Sequence, residues 1–333
     1  MSDLTLDIGF HDYQHVRPLI DGTVKIDGVD PTFHTAFVVS DIFERMIRNH
    51  EFGVAELGWT FYLRTLDLDD APYIGLPIFL ARQFRHSAIF VNTSKGIETP
   101  RDLIGKTIGE FATYGHDAGI AAKGMLADDY GVTPDQSRWV IGGFDYPIAP
   151  FDFVPEPHPT DVDVSRIPDG AALGPMLDTG EIDAMISADV PDCVLSGSPN
   201  VARLFPEYRS TEREYYRRTG IFPSMHIVVI RRDLAANNPG LAGNVYRAFC
   251  DAKELVLQRY RNERVLNHID TPLPWVSELY DDDRALFGDD LWPYGVAANR
   301  TTIHAVLRWN HEQGLSKRRM TEADVFAPEL LDT

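Results

Sequence analysis

Two runs of sequence, Phe84-Arg85-His86-Ser87-Ala88-Ile89-Phe90-Val91 and Phe222-Pro223-Ser224-Met225-His226-Ile227-Val228-Val229-Ile230, constrain the fold more than any other part of the chain. Each opens on polar residues that include a histidine and continues as an apolar, β-branched stretch that reads as a buried strand. Unpaired polar groups are costly in a core, so such a head predicts a cavity at that end of the strand. A whole α/β unit's worth of chain lies between the two runs. Two strands that leave one lobe, bracket another and carry polar side chains at the crossing describe a cleft between lobes. Such clefts commonly hold small-molecule chemistry.

The rest of the chain supplies the lobes. Leu4 to Phe10 alternates as a first strand, and the loop His11-Asp12-Tyr13 follows. Asp41 to Arg48 reads as a helix capped by Ser40 or Asp41, and Phe52 to Leu57 as a short buried strand ending in Gly58-Trp59-Thr60. Gly105 to Gly109 predicts a strand, His116 to Tyr130 a helix stopped by Gly131, and Val140-Ile141 another strand. Asp145 to Asp169, rich in proline and aromatics without a period, predicts an irregular excursion. Leu173 to Leu177 reads as a helix, Ile182 to Ser187 as a strand, and both Asn238 to Arg261 and Thr301 to Gln313 as helices. Strands alternating with helices imply an α/β class with largely parallel sheets flanked by helices. The expected division is residues 1–92 plus 220–333 as a discontinuous first lobe, with 93–219 inserted as the second.

Composition narrows the partners. A chain of 333 residues that is 44% hydrophobic can bury a sizeable core. Its 31 Lys and Arg against 50 Asp and Glu give a net charge of −19, which argues against a nucleic acid or an anionic membrane surface as partner. Met1 to Ile8 shows no basic n-region or apolar h-region, and no apolar run approaches a membrane-spanning length. Cys193 and Cys250 are too few for a disulfide framework. The expectation is a cytoplasmic protein with reduced thiols that takes a small-molecule partner, with a homo-oligomer left open.

Several groups carry candidate chemistry. Arg85 is suited to hold a carboxylate through a bidentate fork, and His86 or His226 to supply a proton near neutral pH; an interlobe ion pair and a satisfied buried histidine are the plainer alternatives. Ser87 and Ser224 accompany them in the two heads. Tyr13, Trp59 and Thr60 stand in loops beyond strand ends, where ligands of open α/β sheets sit. Trp59 is suited to stack on a ring, and Tyr13 or Thr60 to bind a phenol. In the second lobe Thr113, Tyr114 and His116 precede a helix whose N-terminus favours anions, although Thr113 serves equally as a helix cap. Asp189 ends another strand on the same expected side. His11-x-x-x-His15 has helical ligand spacing in a loop-like context, no Cys pair has zinc spacing, and neither Gly-x-Ser-x-Gly nor a dinucleotide fingerprint occurs. No organic cofactor is expected, and a divalent metal stays an alternative.

Taken together, Phe84-Arg85-His86-Ser87, Arg218-Thr219-Gly220-Ile221-Phe222-Pro223 with His226 to Arg232, and Trp292-Pro293-Tyr294-Gly295 resemble the 4,5-dihydroxyphthalate decarboxylase family. Leu177 to Asp183, Leu204-Phe205-Pro206 and Glu312 to Ser316 extend the resemblance over nearly the whole chain, while Trp59, Ala81 to Gln83 and Phe111 to His116 depart from the family pattern. The resemblance implies a type II periplasmic-binding-protein-like fold, with two α/β lobes and a ligand cleft between them. It also implies non-oxidative loss of CO2 from a dihydroxylated phthalate without an organic cofactor, with Arg85, His86, Ser87 and His226 matching the motifs. On that reading His86 or His226 protonates the ring, Arg85 anchors the retained carboxylate, and Tyr13, Thr60 or Ser224 contacts a phenol. The competing reading is a binding protein for a small aromatic or carboxylate ligand, since a fold does not fix a function.

Overall fold

The computed structural model describes residues 3–155, 159–266 and 271–333. Two sheets divide the chain. The first has the order β2-β1-β3-β11-β4, formed by β1 (Leu4–Phe10), β2 (Val29–Thr35), β3 (Val54–Gly58), β4 (Tyr73–Leu76) and β11 (His226–Arg231). The second has the order β10-β5-β9-β6-β7-β8, with β5 (Ile89–Asn92), β6 (Thr107–Phe111), β7 (Arg138–Gly142), β8 (Asp163–Arg166), β9 (Ala184–Ile186) and β10 (Val201–Arg203). Among the described strands, β5 runs opposite to the rest of its sheet and β11 opposite to the rest of its own. These are the first strands the chain forms after each crossing, so both reversals follow from the exchange between sheets.

The flanking helices used below are α1 (Ser40–Asn49), α2 (Trp59–Thr65), α3 (Asp117–Tyr130), α4 (Leu173–Thr179), α5 (Tyr208–Thr219), α6 (Leu241–Leu266) and α7 (Arg300–Glu312). α3 ends at Gly131, whose φ of 68° is the left-handed geometry a helix stop favours. Neither expected side-chain cap of α1 forms: the helix begins at Ser40 itself behind Val39. Within 145–169 the described residues are largely irregular, but β8 pairs in parallel with β7; 156–158 of that excursion lie outside the described residues.

The crossing segments pair with each other. Arg82 and Ser224 form an antiparallel bridge, flanked by Met225 N–H donating to Ala81 O at 2.8 Å and Gln83 N–H to Pro223 O at 3.1 Å. Arg82 is buried and donates to Phe222 O at 3.1 Å, Pro293 O at 2.7 Å and Asn299. The aromatic C-terminal run thereby braces the crossing, helped by Trp292 Nε1–H donating to Phe79 O at 2.8 Å.

Two sequence expectations change here. The boundary after residue 92 falls too late, because Ile89–Asn92 pairs with β9 and β10 in the second sheet. The polar head Arg85-His86-Ser87 is not a strand either: His86–Ala88 forms a 3-10 turn, with Ala88 N–H donating to Arg85 O at 3.2 Å. Two groups distant in sequence hold that turn: Glu212 of α5 accepts from Ser87 N–H at 2.9 Å, and Arg203 donates to Ser87 O. Alternation of faces therefore does not apply, and Arg85 and His86 have separate surroundings.

Candidate active site

The site starts from two neighbouring strands. Gly58 of β3 opposes His226 of β11, and Glu56 opposes Val228, so Glu56 and His226 share a face one diagonal step apart. Glu56 is wholly buried, and a carboxylate there needs donors. It has three: His226 Nδ1 lies 2.6 Å from Oε1, Tyr13 Oη–H donates to the same oxygen at 2.7 Å, and His11 N–H donates to Oε2 at 2.9 Å. His226 sets its edge against Phe43 at 5.2 Å and keeps 15% of its side chain exposed. With Nδ1 bound to the carboxylate, Nε2 is the nitrogen left for a substrate. Burial and the Glu56 charge together push the Tyr13 phenol far above its usual range, so it stays a donor.

The second lobe closes over this pair through α3. His116 is its extended N-cap and Asp117 its first residue, which displaces Thr113 from the expected capping role. Asp117 Oδ1 accepts from Thr60 N–H at 2.8 Å. The expected loop at Trp59-Thr60 is in fact the first turn of α2. The approach is close enough that a Cβ on Gly58 would stand 2.1 Å from Asp117 Oδ2, so this position accepts only glycine without displacement. Burial raises the Asp117 carboxyl to about 6, against the opposing pull of His226, the Thr60 N–H, Arg64 and Arg85. Burial also drives the His116 imidazole well below its usual range, and the neighbouring Arg85, His226, Lys123 and Arg64 act in the same direction.

Arg85 is buried beside this junction. Its Nε–H points at Met225 Sδ, 3.2 Å away. Burial lowers its pKa to about 10, partly restored by Asp117, Asp189 and Glu212, and the guanidinium remains charged at neutral pH. Three polar atoms here have no hydrogen-bond partner among the described residues: Arg85 Nη1, Thr60 Oγ1 and His116 Nδ1. A carboxylate or phenol placed among them would satisfy donors that the fold otherwise leaves unpaired.

The remaining expected residues divide between this junction and other places. Ser224 Oγ accepts from Trp59 Nε1–H at 3.2 Å and donates to His226 O at 3.1 Å, so both residues brace the site. Trp59 itself is buried against Phe79 and Phe326 rather than offering its ring to a ligand. Asp189 is exposed, with its N–H donating to Ser187 Oγ at 3.2 Å, and its charge reaches Arg85. Thr113 is buried in the turn before α3. Tyr114 faces elsewhere: its ring covers Lys123 Nζ at 3.7 Å, and it lines a separate cavity of about 270 Å³ together with Trp309. Ser87 presents its backbone to Glu212 and Arg203.

His86 is not brought to His226. Its ring lies edge-on to Phe205 and Tyr215, both at 5.1 Å, and the charges that act on it are Asp129 and Arg218. Sequence reasoning missed Glu56 and Asp117. A lone acid inside the apolar run Phe52 to Leu57 was a visible signal for Glu56, because a buried charge requires partners. No such signal marked Asp117, which looks like any acid in a first helical turn. Among the described residues no group of three His, Cys, Asp or Glu side chains is placed to hold a metal ion.

Across its whole length the chain is 34% identical to the 4,5-dihydroxyphthalate decarboxylase of Comamonas testosteroni, covering 99% of that protein. The chain belongs to the 4,5-dihydroxyphthalate decarboxylase family. A Pseudomonas putida protein of the same name is 34% identical over 217 residues, 65% of this chain and 83% of its own length. The family member described here is accordingly a decarboxylase. No protein-family model matches the chain. Among solved structures, the alkanesulfonate-binding protein SsuA from Xanthomonas axonopodis pv. citri covers 98% of the chain and 99% of its own at a TM-score of 0.54 and 13% identity. The aliphatic sulphonate binding protein SsuA from Escherichia coli covers 100% of both at 0.53 and 12% identity. At such identities the likeness establishes the fold alone, which is that of the periplasmic binding proteins.

Proposed function

We propose that this decarboxylase converts 4,5-dihydroxyphthalate, or a closely related dihydroxylated aromatic dicarboxylate, to protocatechuate and CO2 by protonating the ring carbon that bears the departing carboxylate. The observation that carries the reading is the meeting of a Glu56-backed His226 with the unpartnered Arg85 Nη1, Thr60 Oγ1 and His116 Nδ1 at a buried interlobe junction. The names of the full-length relative and its partial companion supply the substrate class.

The chemistry follows from the ring. Each carboxylate of this substrate stands para to a hydroxyl. Ionising that phenol pushes electron density onto the carbon bearing the carboxylate, and that carbon takes a proton from His226 Nε2. The C–C bond then breaks, CO2 leaves, and the bonding pair returns to the ring, which regains aromaticity. Glu56 orients the imidazole and offsets the charge of its protonated form. Arg85 holds the retained carboxylate through its guanidinium. Thr60 Oγ1 and His116 Nδ1 meet the phenolic oxygens, and burial of the junction keeps water from the leaving carboxylate. The phenol is itself the electron sink, so the step needs no organic cofactor. A passive receptor of this fold has no need of a proton donor backed by a buried carboxylate.

The deciding experiment is CO2 release from 4,5-dihydroxyphthalate by the purified protein, with and without chelator. Turnover unchanged by chelation is the expected result. Tight binding of the diacid without CO2 release overturns the proposed reaction, and loss of turnover on chelation overturns its metal-free form.

A further inference from the structure

His86 lines a cavity of about 390 Å³ that is distinct from the Glu56–His226 junction. The cavity lies between the end of α3, which contributes Asp129 and Tyr130, and helix α5, which contributes Ser210, Tyr215 and Arg218. Its size is at the low end of the range typical of small-ligand pockets, about 300–1,000 Å³. His86 is 1% exposed, yet neither ring nitrogen has a hydrogen-bond partner among the described residues. A buried imidazole unpaired at both nitrogens is held at a cost, and a ligand reaching it from this cavity would supply the missing partners.

The chemistry of the lining selects an occupant. Burial lowers the His86 pKa to about 4, so the ring is neutral near pH 7 and offers one donor and one acceptor. Arg218 is already paired with Asp129, Nη2 to Oδ2 at 2.5 Å, and Glu214 adds a further carboxylate at the rim. The lining therefore holds no unneutralised cation for a dicarboxylate. Tyr130 and Tyr215 supply aromatic walls, which favour a flat ring packed by its edge or an offset face. A ring hydroxyl is the small group that returns both a donor and an acceptor to a neutral imidazole.

We propose that this cavity is a second binding site, for a small uncharged phenol held by His86 between Tyr130 and Tyr215. Arg85 is the neighbouring residue of the chain and Glu212 ties the same turn to α5, so the site adjoins the catalytic junction without sharing its groups.

The test reads binding and location. Catechol is titrated into the full-length protein and into His86→Leu, His86→Gln and Ser210→Trp, and crystals are soaked with 4-bromocatechol to place the bromine by anomalous scattering. Bromine beside His86 is expected, with affinity falling about tenfold or more in His86→Leu, where the hydrogen bonds are lost. His86→Gln, which keeps a donor and an acceptor, retains binding. Ser210 is exposed at the lip, so Ser210→Trp plugs the cavity from outside and decides the matter even if His86→Leu does not fold. Equal affinity in wild type, His86→Leu and Ser210→Trp overturns the proposal, as does bromine found only at the interlobe junction. Neither outcome depends on whether the enzyme decarboxylates 4,5-dihydroxyphthalate.

Discussion

Glu56 Oε1 and His226 Nδ1 lie 2.6 Å apart, although 170 residues separate them in the chain. The diagonal register of β3 and β11 brings them together, and Tyr13 and His11 complete the donors around the carboxylate. If His226 protonates the ring, His226→Asn should lower kcat by about 10²–10⁴ while leaving the melting temperature close to wild type, since the side chain is partly exposed. Glu56→Gln should also lower kcat more than it raises KM, because the imidazole loses its orienting anion. Steady-state CO2 release reads both, and near-normal kcat in His226→Asn would remove it from the proton-donor role.

Arg85 should separate binding from chemistry. It is buried, charged, and free at Nη1, so its loss removes a charge-assisted hydrogen bond worth about 1.5–3 kcal/mol. For Arg85→Gln that predicts a rise in KM of roughly ten- to a hundredfold, with a smaller change in kcat. Arg85→Lys should recover only part of the loss, since an ammonium lacks the planar fork. An unchanged KM in Arg85→Gln would mean that the substrate carboxylate is anchored elsewhere.

Much of this architecture is legible in the chain. β1, α3 and the long helix α6 follow from periodicity and stop signals, and the polar heads beside apolar runs led to Arg85, Ser224 and His226. The pairing of His86 with His226 was not sound, because it assumed that both heads are strands. His86 lies in a 3-10 turn whose shape is set by Glu212 and Arg203, contacts that no local pattern announces. Tertiary contacts of that kind override local propensity. Trp59 illustrates the same limit: its position after a strand suggested a ligand contact, but Phe79 and Phe326 enclose it.

The junction between lobes depends on Gly58. A methyl group there would meet Asp117 Oδ2 at 2.1 Å and force the carboxylate off the Thr60 N–H. Gly58→Ala should therefore destabilise the protein by about 1–3 kcal/mol through overpacking and a lost hydrogen bond. Activity should fall as well, since Thr60 and His116 move with the two helix ends. Denaturant unfolding with a parallel turnover assay measures both effects. A variant as stable and active as wild type would show that the lobes are not held at this contact.

Acid stability tests the buried histidines with a defined sign. Burial lowers His15 and His86 to about 4, so both stay neutral in the folded protein at pH 5, and it drives His116 well below its usual range. In the unfolded chain they take up protons near pH 6.5. Their contribution is thus present above pH 6.5 and is lost as the pH falls toward 4. Asp117 works the other way: raised to about 6, it keeps its proton in the folded state, and its contribution is present below about pH 4 and lost as the pH rises through 6. Near pH 5 His15 and His86 each add one proton to the uptake on unfolding and Asp117 subtracts one. Each proton changes the slope of stability against pH by about 1.4 kcal/mol per unit. His86→Leu should therefore flatten that slope by about this amount. Asp117→Asn, which keeps an acceptor for Thr60 N–H, should steepen it and be more stable than wild type above pH 7. Calorimetric unfolding between pH 4.5 and 7.5 measures the slopes directly. Parallel curves for wild type and both variants would mean that His86 and Asp117 titrate alike in the folded and unfolded chain, and that both groups are better hydrated than their burial shows.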